Sequence, residues 1–344
     1  MTAAMNTSRV TRPQRGYLLR LSGVISALAL IAMVWAGMTT VVAAPKGARW
    51  GAKYFPNHVV QTQDGTSFRF YDDLIKDKIV VVNFMYTSCV DICGLQTARL
   101  ALVQDRIAAR LGKDVFIYSI SLDPERDTPT ALKQYAEAFG TRPGWLFLTG
   151  KPDEVHQIRY KLGERSRSLS EHRNDVVLGN DRTGQWGRSS LMASIDLLVQ
   201  QIEDMDPEVR RTRRPVPSGS SSGYKLANQP GQALFLKACA ACHTVGMGRH
   251  IGPDLEGITS RRTQDWIVRY MVAPDKMRHQ NDPIAASLRR QFPGVLMPNL
   301  GLGETDARDV IAYLKAQTKR LSAGDQTARP GKPGAHAHHA RQQH

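Results

Sequence analysis

Cysteine is scarce in this chain. Its 344 residues include four, in two close pairs, Cys89/Cys93 and Cys239/Cys242. Such pairs do not resemble the dispersed bridges of a secreted disulfide framework, so each reads as a site. No signature of a nucleic-acid-binding module is present either. The formal net charge of +15 is scattered, with local excess at the N-terminus and near residues 210–214. It reads as solvation plus attraction to an anionic membrane surface or an acidic protein partner, and no nucleic acid is expected. The chain has one long apolar run, Leu21 to Ala44, preceded by Arg9, Arg12, Arg15 and Arg20. Val42-Ala43-Ala44 suits cleavage of a signal peptide, and ~24 apolar residues also suffice for an uncleaved membrane anchor. Either way, the positive-inside rule puts the remainder outside the cytoplasm, in or facing the periplasm. The hydrophobic content of 42% is ordinary for packed domains, and the length allows two of them with tails.

The first pair sits between a β-branched run, Ile79 to Phe84, and a helical pattern from Leu95 to Leu111. Strand, cysteine loop and helix in that order present a thiol at a helix N-terminus, where N–H groups and the dipole favour thiolate. Thiols at i and i+4 share one face of a first turn. They can close a disulfide, bind a soft metal ion together, or be two buried structural cysteines. Asp91 between them reads as a helix N-cap, or as a group that tunes thiolate charge or meets a partner.

Around this loop, strands and helices alternate. A hairpin is expected about Asp64-Gly65, and a buried strand over Val115 to Ser121. Asp127 or Thr128 caps a helix that has Pro129 in its first turn and runs to about Phe139. A strand over Trp145 to Leu148, a helix over Pro152 to Leu162, edge strands from Asp175 and after Trp186, and a helix over Ala193 to Glu203 complete a mixed α/β layer structure.

Cys89-x-x-x-Cys93, Ser121-Leu-Asp-Pro-Glu-Arg-Asp-Thr-Pro129 and Gly144-Trp-Leu-Phe-Leu-Thr149 together resemble the Sco/SenC family over about residues 50–204. The resemblance implies a thioredoxin-like α/β fold and copper delivery to cytochrome c oxidase. It also implies a histidine ligand eight residues before the turn after a strand, which falls on His172. Val90 and Gly94 stand where the family's prolines flank the cysteine loop, and Asn180 to Gly184 replaces its Asp-Pro turn. His156 is the alternative histidine. Two thiolates and one imidazole form a soft site suited to copper; structural zinc wants a fourth protein ligand.

Cys239-Ala-Ala-Cys242-His243 is a c-type haem attachment motif: two thioether cysteines, then an iron-ligating histidine. A helix over Gly231 to Ala238 precedes it. Ile251-Gly-Pro-Asp-Leu255, Met297-Pro298 and a helix from Glu304 to Ala316 follow. Residues 228–320 thus resemble an all-α class I cytochrome c, which implies Met297 as the second axial ligand. A thioether opposite histidine raises the potential and fills the sixth position, favouring electron transfer. Met271 and Met277 read as core, and His250 as a weaker rival ligand.

The expected organisation is a signal peptide or membrane anchor over 1–44, a Sco-like domain over 45–204, a basic, Ser/Gly-rich linker over 205–227, a cytochrome c domain over 228–320 and a disordered tail over 321–344 with His336, His338, His339 and His344. About twenty flexible linker residues span roughly 25 Å and hold the two sites at effective concentrations of order mM. The expected function is delivery of copper to, or redox maintenance of, a respiratory oxidase subunit or other copper-accepting protein. Copper would sit at Cys89, Cys93 and His172. Covalent haem c would sit at Cys239, Cys242, His243 and Met297 and serve a further redox partner. One alternative is a thiol-disulfide oxidoreductase with Cys89 and Cys93 as its redox thiols and electrons drawn through the haem. Another is an electron-transfer cytochrome whose Sco-like half only binds a partner.

Overall fold

A computed structural model describes residues 50–212 and 229–324. The apolar run over 1–44, most of the linker and the histidine-containing tail lie outside the described residues. Among those described, no helix is long and apolar enough to cross a membrane.

Residues 50–206 build a seven-stranded mixed sheet with helices against it. The strands are β1 (Val59–Thr62), β2 (Ser67–Arg69), β3 (Ile79–Met85), β4 (Val115–Ser121), β5 (Trp145–Gly150), β6 (Asp175–Asn180) and β7 (Gln185–Ser190), ordered β2-β1-β5-β4-β3-β6-β7. The centre β5-β4-β3 is parallel, with Ile79 beside Val115 and Met85 beside Ser121. Antiparallel β1 and β6 flank it. Every residue of β3 is buried, as a continuous β-branched run requires when both faces of a parallel strand are covered. At about 1.5–3 kcal/mol for each fully buried Val or Ile, this run anchors the sheet and fixes where the cysteine loop emerges.

The main helices are α1 (Cys93–Arg106), α2 (Pro129–Ala138), α3 (Pro152–Lys161) and α4 (Ile195–Glu203). Thr128 caps α2 by accepting from Ala131 N–H, with Pro129 in its first turn, and Ser194 caps α4 by accepting from Leu197 N–H. The β1–β2 hairpin turns at Gly65, whose φ of 77° suits glycine. The lead-in contains an element that turn chemistry alone does not signal. Phe70–Ile75 forms a π-helical turn burying Phe70, Tyr71, Leu74 and Ile75. The start of the expected linker is also ordered: Asn180 donates to the Met205 carbonyl at 2.8 Å, and Pro207–Thr212 is a short helix, α5, with no buried residue.

Residues 229–324 are helical. Gln232–Leu234 is α6, running into a π-helical turn, Phe235–Cys239, that ends on the first cysteine of the second pair; Cys242 follows in the next turn. Then come α7 (Ile258–Arg261), α8 (Gln264–Val272), α9 (Pro274–His279), α10 (Pro283–Gln291) and α11 (Glu304–Ser322). Asp282 caps α10 by accepting from Ile284 and Ala285 N–H at 3.0 and 2.9 Å, and also receives the Trp266 indole N–H at 3.2 Å. The closing helix α11 runs past Ala316 because Gln317 is still buried on its inner face. Met271 and Met277 are buried in this core, as their helical spacing suggests.

The two halves are not bodies joined only by a linker. The described residues belong to one compact unit. Ala241 and Ile251, either side of His243, are buried in the same apolar core as Leu95 and Phe139 of the sheet domain. The Arg99 guanidinium on α1 donates to the carbonyls of Leu191 and Ala193, and at 3.1 Å to that of Lys237 in the helical half. A leash alone therefore does not set the spacing of the two cysteine pairs.

Candidate functional site

Three segments converge beside the C-terminal end of β3. Cys89 lies in the loop after that strand, Cys93 is the first residue of α1, and His172 follows the short 3-10 turn Leu169–Glu171 before β6. Their ligand atoms all lie within 4.8 Å of one another. His172 Nε2 stands 3.4 Å from Cys93 Sγ. The other ring nitrogen, Nδ1, faces the Arg173 carbonyl oxygen at 3.2 Å, so an N–H there leaves Nε2 free to ligate. The sequence-expected trio is thus brought together. His156, the alternative, sits on the exposed face of α3 against Arg159.

Contacts that the sequence does not flag hold His172 in place. Gln96 on α1 donates to Asn174 at 2.8 Å, tying the cysteine helix to the histidine segment. Buried Glu164 accepts from the backbone N–H groups of Ser166 at 2.8 Å and Arg173 at 3.0 Å, fixing both sides of the loop that carries the histidine. The Tyr86 ring meets the His172 imidazole edge-on, centroids 5.9 Å apart. Asp127, buried at the base, accepts from Thr87 N–H at 3.1 Å, the Thr87 hydroxyl at 2.5 Å and the Ser121 hydroxyl at 2.6 Å. It thereby clamps the ends of β3 and β4 from which the cysteine loop departs.

The two thiols are electrostatically unequal. The Cys93 thiol beside it lowers the Cys89 pKa, outweighing burial, with help from His172 and the backbone N–H groups of Cys93 and Asp91. The same Cys89 contact, followed by burial, raises Cys93. Burial opposes charge on His172, but Cys89, the Arg173 carbonyl and Glu164 together raise its pKa. The expected N-cap role of Asp91 does not hold. Ile92 occupies the cap position with no side-chain capping bond, because the Asp91 side chain is exposed while its backbone N–H turns to the Cys89 sulfur. Two sulfurs and one imidazole nitrogen, nearly excluded from water, suit a soft monovalent ion of low coordination number.

The second pair differs. Burial pushes both Cys239 and Cys242 up to about 12, so neither is disposed to bind metal as a thiolate. With His243, both cysteines line an apolar cleft enclosing about 790 Å³, open space at its mouth included. Met297 lines it too. His243 Nδ1 is held 2.9 Å from the Pro253 carbonyl oxygen, which aims Nε2 into the cleft side. Gly252 is required beside it: a Cβ there would come within 2.8 Å of His243 Cε1. Arg278 donates to the Met297 carbonyl at 2.9 Å and keeps its second amino group buried without a hydrogen-bond partner among the described residues. An apolar slot, a tautomer-fixed histidine and an unsatisfied guanidinium N–H fit a flat apolar ring system bearing carboxylates.

Residues 56–177 match the SCO1/SenC family and residues 229–318 match Cytochrome c. The SCO1 protein homolog of Bacillus subtilis is 35% identical over 119 residues, which are 34% of this chain and 60% of that protein. Protein SCO1 homolog 1, mitochondrial, of Arabidopsis thaliana is 37% identical over 81 residues, 24% of either chain. Protein SCO2, mitochondrial, of Saccharomyces cerevisiae is 32% identical over 159 residues, 42% of this chain and 52% of its own. This chain thus covers between about a quarter and 60% of these relatives. Among solved structures, Arabidopsis thaliana ScoI with copper bound aligns at 23% identity and a TM-score of 0.38 over 46% of this chain and 99% of its own. Yeast Sco1 with copper bound aligns at 25% identity and a TM-score of 0.36, over 46% of this chain and 92% of its own. Residues 56–177 therefore form a SCO1/SenC domain with a Cys-x-x-x-Cys and histidine group that could hold a metal ion, and residues 229–318 form a cytochrome c domain, which implies haem c.

Proposed function

We propose that this protein receives copper at Cys89, Cys93 and His172 and passes it to a respiratory oxidase subunit or another copper-accepting protein on the periplasmic side of the membrane. The observation that carries this reading is the convergence of the three ligand atoms within 4.8 Å, drawn from segments 79 residues apart. Cys89, already inclined to thiolate, engages the ion first. Cys93 follows and releases its proton, so loading is coupled to proton release. Val90 and Asp91 are exposed at the rim, where a partner's thiolates can take the ion by stepwise ligand exchange. In the class I cytochrome half, Cys239 and Cys242 would hold a haem through thioethers, with His243 and Met297 as the residues that would ligate its iron. Haem c provides a one-electron couple when attached. Cu(I)/Cu(II) also changes by one electron and a dithiol–disulfide pair by two, so the natural partner of this couple is the bound copper.

Stopped-flow reduction of the ferric holoprotein after Cu(I) loading tests the redox link. The rate collapses in Cys89→Ser if copper at the thiols is the donor; an unchanged rate defeats this reading. The thiol asymmetry favours one second reading, a thiol-disulfide oxidoreductase in which Cys89 attacks and Cys93 resolves. The two part at His172→Ala. A copper carrier loses its function, whereas a reductase using two sulfurs keeps most of its rate.

A further inference from the structure

The thiol site and the haem cleft share walls and a hydrogen bond. Leu95, two residues after Cys93 on α1, lines the cleft that also holds Cys242, His243 and Met297. Val90, between the two thiols, accepts through its carbonyl oxygen from Asn299 N–H at 3.2 Å, and Asn299 lies two residues after Met297. Gly94, next to Cys93, abuts the carbonyl oxygen of Leu296, the residue before Met297; a Cβ there would stand 3.6 Å from it. On its cytochrome side the same loop is held at the Met297 carbonyl by Arg278 and at the Asn299 side chain by Asp275, at 2.9 Å each. Tyr135 on α2 lies between the pairs. Its hydroxyl is 3.1 Å from that of Thr97, which donates to the Cys93 carbonyl.

We propose that the Cys89–Cys93 loop and the Leu296–Asn299 loop act as one coupled element, so that closing the two sulfurs on a soft ion shifts the Met297 ligand loop and changes the properties of the haem. This rests on the reading of the thiols as metal ligands and of Met297 as the second axial ligand. An ion shared by both sulfurs replaces the thiol–thiol contact between them, and Val90 lies on the loop that joins them. Its carbonyl is bonded directly to the ligand loop, and the cleft wall at Leu95 belongs to the same helix as Cys93. Axial-ligand placement and cleft packing are levers on haem potential. The coupling is reciprocal: if metal loading shifts the haem, the haem redox state shifts metal affinity by the same factor.

The test uses the full-length holoprotein and Ag(I), a soft monovalent ion that gives no electron to the haem. Loss of thiol reactivity confirms where it binds. One equivalent of Ag(I) should alter the sulfur-to-iron absorption band of the ferric haem. Ag(I) affinity should also differ at least ~5-fold between ferric and ferrous protein, the lower end of typical coupling. At 59 mV per tenfold for one electron, that corresponds to a midpoint shift of about 40 mV. Ala138→Arg lies on α2 where Ala138 meets Gly294, away from both sets of ligands. It should separate the halves, leave Ag(I) stoichiometry intact and abolish both effects. An unchanged band and midpoint in wild-type protein with Ag(I) on the thiols overturns the coupling and leaves the copper reading standing. Failure of Ag(I) to protect the thiols overturns the copper reading, and the coupling with it. A full response in Ala138→Arg overturns the docking route, and if that variant does not accumulate, the wild-type titration decides alone.

Discussion

Glu164 is the residue whose replacement most cleanly separates site positioning from ligation. It is fully buried, touches neither sulfur, and accepts from two backbone N–H groups that bracket the His172 loop. Glu164→Gln keeps the shape but removes the charge and turns an amide N–H₂ toward one of those donors. A hydrogen bond to a charged group contributes about 1.5–3 kcal/mol, and a donor left facing a donor costs about 1–3 kcal/mol. Allowing for rearrangement, a loss of about 2–3 kcal/mol follows, or roughly 5–10 °C in melting temperature for a domain of this size. Because the loop carries the proposed ligand His172, Cu(I) affinity should fall about 10–100-fold, as it does when outer-shell partners are removed. Burial opposes its ionisation, but the bonds from Ser166 and Arg173 outweigh burial and hold Glu164 below its ordinary range. Its contribution is therefore present above the unfolded carboxyl pKa of about 4.3 and is lost as pH falls through the depressed folded value. Urea denaturation at pH 7 and pH 4, with a chelator competition for Cu(I), measures each term. Unchanged stability together with unchanged Cu(I) affinity would show that Glu164 does not position the His172 loop.

Three further outcomes follow. Burial raises the Asp127 pKa against the bonds from Ser121 and Thr87, so its contribution is fully present below the unfolded pKa of about 3.9 and is lost as pH rises through the folded value. Asp127→Asn should flatten that part of the stability–pH curve in denaturant titrations, and a retained slope counts against the assignment. Gly252→Ala places a methyl within 2.8 Å of the His243 ring, so stability should fall by about 1–3 kcal/mol and His243, the proposed haem ligand, should be displaced. Visible spectra of the purified variant would show lost His ligation, and a wild-type spectrum would contradict the crowding. Arg99→Met strands the carbonyls of Leu191, Ala193 and Lys237 and should lower stability by about 2–3 kcal/mol by calorimetry, whereas a neutral result removes the guanidinium as the tie between halves.

Much of the sheet domain is legible because its signals are local. Thr128 with Pro129 marks the start of α2, Asp64-Gly65 marks the hairpin, and the unbroken run Ile79 to Phe84 can lie only in a strand covered on both faces. His172 emerges by family spacing alone; nothing in its neighbours distinguishes it from a surface histidine, since the contacts that fix it come from α1 and from Glu164. Glu164 itself reads as one more surface charge among arginines, because a buried carboxylate is defined by distant backbone donors. The turn at Phe70–Ile75 escapes for a similar reason: a π-helical turn has no spacing signature of its own. The docking of the two halves is hidden most completely. Ala241, Ile251 and Gly94 are small or ordinary apolar residues, and only the assembled fold shows that they meet one another's domains.

Copper K-edge X-ray absorption of the Cu(I)-loaded holoprotein, beside its His172→Ala variant, bears most directly on the three-ligand site. Two sulfurs and one nitrogen are expected around copper in the wild type, with that nitrogen missing from the variant. A sulfur-only shell in the wild type, or the same nitrogen signal in both proteins, would contradict the three-ligand site.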